Sequence, residues 1–341
     1  MPAEWEEHES TWLVWPTNKT TWPGKLLKEV EEIYFQMMRS LLAGEKVNLL
    51  VPNEKVGRFV ARRLESKKAS VKNLFLHSTK TVDTWIRDYG PIFVKRTGAG
   101  DNKAFTKWVF NAWGGKYADL AKDHGVVNRI GALKLFKRFD IGMVLEGGSI
   151  DVNGRGVCLT TQQCLLNKNR NPKLSRAEIE QNIGRHLGAK KVIWLKEGIE
   201  GDDTDGHVDD VTRFVAPNTI LTATESDETD KNYAILKENL IILKSQKNLS
   251  GKHFKIIELP MPGKVGLRRG ESDSERLPAS YANFYIANSC VLVPVYSHRN
   301  DKRALGILRD VFPGRKIVAI ECTALMNGLG SIHCVTQQEP R

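Results

Sequence analysis

Segments with the periodicity of amphipathic helices alternate with short apolar segments along this chain, and this alternation constrains the fold more than any other feature. Residues 26–43 carry apolar side chains at every third or fourth position, as one face of a helix does, and the apolar run at 47–52 then favours a strand. The same reasoning predicts helices at 54–66, 118–135, 175–187, 229–246 and 300–311, strands at 71–77, 190–195, 252–259 and 315–321, and an ambiguous segment at 136–143. Such alternation is typical of an α/β fold.

The last three predicted strands share a regular spacing. They begin near residues 190, 252 and 315, which is a period of about 60 residues without any residue-level repeat. Length alone suggests two domains for 341 residues, but no Pro-, Gly- or Ser-rich linker divides the sequence. We therefore expect a single catalytic domain over 1–341.

Composition removes several classes of protein. The N-terminal residues lack the basic and apolar regions of a signal peptide, and no uncharged apolar stretch is long enough to span a membrane, so we expect no membrane association. The five cysteines are odd in number and widely spaced, which favours reduced thiols and a cytoplasmic location. A net charge of +11 raises the alternative of nucleic-acid binding. Lysine and arginine are scattered rather than clustered with aromatic residues, so we expect no nucleic-acid partner.

Polar turns follow the predicted strands at five places. Rigid α/β scaffolds place binding groups in loops at strand ends, so five such loops predict one central site. In chain order the turns contain the sequences TWIRDYGP, LEGGS, EGDDTDGHVDD, PASYANFY and NGLGSIHC.

Cys334 is the candidate nucleophile, because it follows a turn in which Gly328 and Gly330 permit a close approach to a ligand. His207 and Asp209 lie two residues apart before a strand-like segment, so on a strand they would face the same way and form a positioned acid/base with its anion. His333 adjoins Cys334, but neighbours on a strand face opposite sides. We therefore expect His207, rather than His333, to be the base.

Carboxylates are the second feature of the predicted site. Asp88 and Glu146 lie in two of the five turns, and seven carboxylates fall between Glu197 and Asp210. A pocket lined by carboxylates favours a planar cation such as a guanidinium, which pairs with carboxylates through two parallel hydrogen bonds. A thiolate beside a bound guanidinium would attack its central carbon. Sequence motifs for nucleotide binding, zinc proteases and serine hydrolases are absent, and no cysteine pair has zinc-site spacing, so we expect neither a metal nor another cofactor.

These motifs resemble the agmatine deiminase and bacterial peptidyl-arginine deiminase family, within the guanidino-group-modifying pentein superfamily. The resemblance runs almost end to end, and it implies a five-bladed α/β propeller of ββαβ units with pseudo-fivefold symmetry. The five turns agree with that count. The matching segments are MPAEWEEHESTWLVWP at 1–16, TWIRDYGPIFV at 84–94, LEGGSIDVNGRG at 145–156, LTTQQCLLNKNRNP at 159–172, DDTDGHVDDVTRFV at 202–215, PASYANFYIANSCVLVPVY at 278–296 and IHCVTQQEP at 332–340.

The resemblance also implies roles for individual residues. Cys334 would be the nucleophile and His207 the general acid/base, with Glu146 beside His207. The remaining implied roles are guanidinium pairing by Asp88 and Asp209, lining of the pocket by Trp85 and Asn283, and contact with the distal end of the substrate by Asp203. The sequence departs from the family at Leu329 and Ser331, which interrupt a turn that is commonly all glycine.

The implied reaction is hydrolysis of agmatine to N-carbamoylputrescine and ammonia through a covalent S-alkylthiouronium intermediate on Cys334. The alternative is a deiminase of C-terminal peptidyl arginine that forms citrulline. Arg87 leaves this choice open, because an arginine beside Asp88 could bind a substrate carboxylate. An amidinotransferase of the same superfamily is a further alternative, and a homo-oligomer stays open from sequence.

Overall fold

Helices form where the apolar spacing predicts them. The computed structural model describes residues 1–96, 103–266 and 276–341. α1 buries Val30, Ile33, Met37 and Leu41, the stripe that the three- and four-residue spacing indicates. The helices are α1 (Leu26–Leu41), α2 (Glu54–Ser66), α3 (Ile86–Tyr89), α4 (Ala112–Gly115), α5 (Val126–Lys134), α6 (Gln162–Leu165), α7 (Arg176–Leu187), α8 (Lys231–Ser245), α9 (Asp301–Val311) and α10 (Thr323–Met326).

The segment 118–135, expected to be one helix, is divided. A 3₁₀ helix, Ala118–Gly125, precedes α5, because the weak helix formers His124 and Gly125 stand at the junction. Leu135, with φ of 54°, then ends α5 in the left-handed region. A capping box begins α7. The Ser175 side chain accepts a hydrogen bond from the Glu178 N–H, and the Glu178 carboxylate accepts one from the Ser175 N–H at 2.7 Å.

Short strands occupy the apolar segments, and the ambiguous segment at 136–143 contributes β6. The strands are β1 (His8–Val14), β2 (Lys46–Val51), β3 (Leu74–Ser78), β4 (Ile92–Lys95), β5 (Lys103–Val109), β6 (Lys137–Val144), β7 (Asp151–Val152), β8 (Val157–Thr161), β9 (Lys191–Leu195), β10 (Thr212–Ala216), β11 (Thr219–Thr224), β12 (Lys255–Pro260), β13 (Tyr285–Ile286), β14 (Cys290–Val295), β15 (Lys316–Glu321) and β16 (Gln337–Pro340).

Within the described ranges these strands form five small mixed sheets. Their orders are β16-β1-β2-β3, β4-β5-β6, β7-β8-β9, β10-β11-β12 and β13-β14-β15. Each sheet has one antiparallel pair followed by parallel pairing. A helix crosses between the parallel strands, as parallel pairing requires. The result is a mixed α/β fold.

One strand pair joins the two ends of the described chain. β16 pairs antiparallel with β1, and His8 lies opposite Pro340. The turn that carries Cys334 immediately precedes β16, so this pairing fixes the turn next to the N-terminal segment.

The described helices contain none with both the length and the apolar character that a membrane crossing would need. All five cysteines are buried and free of disulfide bonds.

Candidate active site

Cys334 lies in a turn at residues 332–335, between α10 and β16. Its side chain is 8% exposed, and the Nδ2 of Asn283 donates a hydrogen bond to Sγ at 3.2 Å. The Sγ also lies 4.0 Å from Oδ2 of Asp209. Burial, followed by the charges of Asp209, Asp210 and Asp88, raises the pKa of the thiol well above its ordinary value. The Cys334 side chain is therefore a neutral thiol.

Three carboxyl groups from separate elements surround the site that holds Cys334 and His207. Asp88 lies on α3 and Asp209 lies in a 3₁₀ turn, Val208–Asp210, while Glu146 precedes another, Gly147–Ser149. Burial raises the pKa of Asp88 well above its usual range, and the neighbouring charges of Asp209 and Glu146 raise it further. Two carboxylates close together in a buried site cannot both ionise easily, so ionisation of Asp88 is disfavoured.

Gly148 occupies the space between the acidic groups and His207. Its N–H donates to Oδ1 of Asp88 at 3.0 Å. A Cβ atom at this position would lie 2.6 Å from Nδ1 of His207, 2.9 Å from Oδ1 of Asp88 and 3.1 Å from Oδ2 of Asp209. Glycine is required here for close approach rather than for backbone conformation.

His207 is buried beside two of these acids, at the start of the 3₁₀ turn rather than on a strand as the sequence pattern suggested. Its Nδ1 lies 3.8 Å from Oδ1 of Asp88, and its Nε2 has no hydrogen-bond partner among the described residues. Burial lowers the pKa of His207 to about 3, although the charge of Asp209 opposes the shift. The imidazole is therefore neutral at rest and able to accept a proton.

Glu146 is held by a buried arginine. Its Oε1 accepts from Nε of Arg170 at 2.6 Å, and its Oε2 has no partner within the described ranges. One donor atom from each of Glu146, Cys164 and His207 lies within 4.8 Å of the others. The three side chains lie close enough to share a metal ion, but Arg170 already pairs with Glu146 and burial raises the pKa of the Cys164 thiol well above its ordinary value, so they are poorly suited to bind one.

Asp209 is fixed by His333, which the strand argument set aside. Residues 332–335 form a turn, so the premise that His333 and Cys334 alternate across a strand is wrong. The His333 ring instead makes contacts on both sides, with Nδ1 2.6 Å from Oδ2 of Asp209 and Nε2 2.7 Å from Oε2 of Glu4. Burial alone would raise the pKa of Asp209, but the hydrogen bond from His333 and its positive charge lower it.

Arg87 points away from the acidic cluster. Its guanidinium donates to Oε1 of Gln338 at 2.7 Å, to the carbonyl of His333 at 3.2 Å and to Oε2 of Glu4 at 3.4 Å. Through these bonds Arg87 braces the turn that carries the thiol. The substrate-binding role predicted for Arg87 stays a prediction.

Two of the other predicted residues line the cluster. The Trp85 ring lies against the turn before Cys334: a Cβ atom added to Gly330 would be 2.4 Å from the ring. Asn283 contacts Cys334 and also accepts the His333 N–H at 2.9 Å through Oδ1.

Asp203 lies at a more exposed edge. Its Oδ2 accepts a hydrogen bond from Tyr117, whose ring packs on Trp113 with centroids 5.8 Å apart. Trp113 in turn donates from Nε1 to Oδ2 of Asp88 at 2.9 Å. Asp203 is thus connected to Asp88 through two aromatic side chains.

Several residues of this site were missed by sequence reasoning. Some of these residues lie in the acidic segment 197–210 or in the motif at 159–172, but the sequence of these segments does not show which side chains point into the site. The missed residues are Glu4, Trp113, Tyr117, Cys164, Arg170, Asp202, Asp205, Asp210 and Arg213.

Comparison with known proteins connects this geometry to a family. A model of the Porphyromonas-type peptidyl-arginine deiminase family matches residues 1–340. The agmatine deiminase of Ectopseudomonas mendocina is 36% identical, and the match covers 100% of this chain and 95% of that protein.

Solved structures agree with the sequence match. The agmatine deiminase of Enterococcus faecalis has a TM-score of 0.91 at 31% identity, and the match covers 100% of this chain and 95% of that one. A substrate-bound agmatine deiminase variant from C. jejuni has a TM-score of 0.86 at 32% identity, with 100% and 96% covered. The chain therefore belongs to the Porphyromonas-type peptidyl-arginine deiminase family.

Proposed function

We propose that this protein is an agmatine deiminase that hydrolyses agmatine to N-carbamoylputrescine and ammonia. The observation that carries the proposal is the buried Cys334 thiol, whose Sγ lies 4.0 Å from Oδ2 of Asp209, together with the convergence of His207, Asp88 and Asp209 around Gly148. A guanidinium between Asp88 and Asp209 would present its central carbon to the thiol. Relatives named for this activity support the assignment.

A bound cation would provide the activation that the neighbouring acids oppose. A guanidinium beside Asp88 and Cys334 offsets the negative charges that raise both pKa values, so Asp88 ionises and the thiol is easier to deprotonate. His207, which is neutral at rest, accepts the thiol proton. The resulting imidazolium is stabilised by Asp209, Asp88 and Glu146.

The reaction proceeds in two stages, in which Cys334 forms the covalent intermediate and His207 transfers the protons. The Cys334 thiolate forms a bond to the guanidinium carbon, and the tetrahedral adduct collapses as the imidazolium of His207 gives its proton to one nitrogen, which leaves as ammonia. A water molecule attacks the S-alkylthiouronium, and His207 accepts its proton. Cleavage of the C–S bond releases the ureido product, whose hydroxyl proton passes to the Cys334 thiolate, and His207 gives the proton taken from water to the released ammonia, which leaves as ammonium.

The pairing of buried arginines favours agmatine over a substrate with a carboxylate. The described part of the chain buries three arginines, and each is occupied by protein acids: Arg87 by Glu4, Arg170 by Glu146 and Asp205, and Arg213 by Glu4 and Asp151. Agmatine ends in an amine instead. We propose that Asp203, at the exposed edge, faces this amine.

We also propose that the five sheets are the blades of a propeller with pseudo-fivefold symmetry, forming one catalytic domain over 1–341. The support is that every sheet follows an antiparallel pair with a helix and a parallel strand.

The decisive experiment measures ammonia release from agmatine, free arginine, and a peptide with C-terminal arginine. We expect agmatine to have the highest kcat/KM, and faster turnover of the peptide would overturn the assignment. Product analysis with an added amine acceptor distinguishes hydrolysis from amidino transfer. Cys334→Ser and His207→Ala should each abolish turnover while the far-UV circular dichroism spectrum stays unchanged.

A further inference from the structure

We propose that Glu4 and His333 are positioning residues for the reaction, and that they hold the Asp209 carboxylate in place through a buried carboxylate–imidazole–carboxylate relay. The inference rests on the proposed deiminase function, in which Asp209 binds the guanidinium. We define the relay as Glu4, His333 and Asp209.

The two hydrogen bonds of His333 determine its form. Its Nδ1 lies 2.6 Å from Oδ2 of Asp209, and its Nε2 lies 2.7 Å from Oε2 of Glu4. An ionised carboxylate only accepts hydrogen bonds, and only the doubly protonated imidazole donates from both nitrogens. His333 is 2% exposed, so each carboxylate is paired with a buried cation that water screens little.

Glu4 is itself fixed, so it can act as the anchor of the relay. Its Oε1 accepts from the Ile286 N–H at 2.9 Å and lies 2.9 Å from Nη2 of Arg213. Its Oε2 accepts from Arg87 at 3.4 Å as well as from His333. Burial alone would raise the pKa of Glu4, but the charges of Arg213 and His333 hold it well below its usual range.

The far end of the relay presents a free acceptor to the site. Oδ2 of Asp209 is taken by His333, whereas Oδ1 is buried without a partner among the described residues. A buried carboxylate oxygen without a hydrogen bond is unfavourable unless a ligand supplies the donor. The relay therefore fixes the carboxylate plane with one oxygen available to a guanidinium N–H.

Loss of the relay would change both the orientation and the ionisation of Asp209. Without the bond and charge of His333, the effect of burial prevails and the pKa of Asp209 rises. Because Asp209 must be ionised to bind the substrate, the enzyme then loses activity at a higher pH than the wild type does when the solution is acidified. The charged and titratable groups that face Asp209 are Asp88, Asp202, Glu146, His207, Asp210, Arg213, His333 and Cys334.

Substitutions that keep the shape or one donor of the original side chain test the relay. Glu4→Gln keeps the shape of the anchor but removes its charge. His333→Asn keeps a donor near the Nδ1 position, facing Asp209, whereas His333→Gln keeps one near the Nε2 position, facing Glu4. Glu45→Gln is the matched control, because Glu45 is 5% exposed against 6% for Glu4 and lies 3.4 Å from His8, another histidine.

With agmatine as substrate, we expect kcat/KM to fall about 10- to 100-fold in Glu4→Gln and His333→Gln, the loss of one hydrogen bond to a charged group. His333→Asn should retain more activity than His333→Gln. In Glu4→Gln and in both His333 variants, the acidic limb of the kcat/KM profile should move to higher pH. Glu45→Gln should keep the wild-type profile.

A pH profile unchanged in Glu4→Gln and His333→Gln, with both proteins folded, would overturn the relay. An equal loss of kcat/KM in Glu45→Gln would also overturn the relay, because removing the charge of any buried acid would then have the same effect. Failure of the proposed function has a different signature, since the wild-type protein would then release no ammonia from agmatine.

Discussion

A methyl group at position 148 would test whether the acids and His207 converge as described. In Gly148→Ala the new Cβ would lie 2.6 Å from Nδ1 of His207, 2.9 Å from Oδ1 of Asp88 and 3.1 Å from Oδ2 of Asp209. Ordinary contacts of carbon with such atoms are about 3.4 Å or longer, so the shortest contact is about 0.8 Å too close.

The magnitude follows from how the overlap can be relieved. Gly148 is not among the glycines with positive φ, so alanine accepts this backbone and the strain falls on the three side chains. A displacement of the order of 1 Å in a reacting group lowers the rate about 100-fold. Overpacking of a buried site reduces the free energy of unfolding by about 1–3 kcal/mol, which a domain of this size tolerates.

The assay measures kcat/KM for ammonia release from agmatine, together with the melting temperature. Gly142→Ala is the matched control, because Gly142 lies on β6, also lacks a positive φ, and has no atom within 4 Å of the added Cβ. We expect Gly142→Ala to match the wild type and Gly148→Ala to lose about 100-fold in kcat/KM. Near-normal activity in a folded Gly148→Ala protein would refute the reasoning, since the acids and His207 could not then surround this residue.

Three further predictions concern protonation, specificity and stability. Burial and the charges of Asp209 and Glu146 raise the pKa of Asp88, so agmatine binding should displace a proton from this carboxyl and the affinity should increase with pH. Calorimetry of agmatine binding to Cys334→Ser, in two buffers of different ionisation enthalpy, should detect the released proton. A binding enthalpy that is the same in both buffers would contradict this prediction. Asp203→Asn should raise KM for agmatine about tenfold with little change in kcat, because a charged hydrogen bond to the distal amine is lost, and an unchanged KM would remove Asp203 from the substrate site. Ser175→Ala should lower the free energy of unfolding by about 1 kcal/mol in urea titrations and leave kcat/KM unchanged, because it removes only the α7 cap; equal stability would mean the capping box is not maintained in solution.

Local patterns predicted the elements of this fold well. α2 spans 54–66 as predicted, and α1 and α7 differ from the prediction by only a few residues, because spacing and capping act within a few turns. The strand interpretation of residues 207–209 was wrong, because the residues ahead of a strand may adopt a 3₁₀ turn without changing the apolar pattern.

Partners distant in sequence were the main omission. Glu4 reads as one acid among several in an acidic segment, and only the folded chain brings it to His333. Arg87 is a second case, since its position beside Asp88 in the sequence does not reveal its bonds to Gln338 and Glu4. The contacts of Glu4 and Arg87 depend on side-chain direction and on long-range pairing, and the local spacing of residues does not reveal either property.

The pairing of β1 with β16 bears on when during synthesis the protein acquires activity. Residue 8 cannot meet residue 340 until residue 340 has left the ribosome, and the turn that carries Cys334 is held by that late pairing. Contacts this distant in sequence form slowly, because the loop-closure entropy must be overcome before they stabilise anything. Nascent and partly folded chains therefore expose separate acids and a thiol without an assembled catalytic centre, and hydrolysis begins only when the last strand is in place.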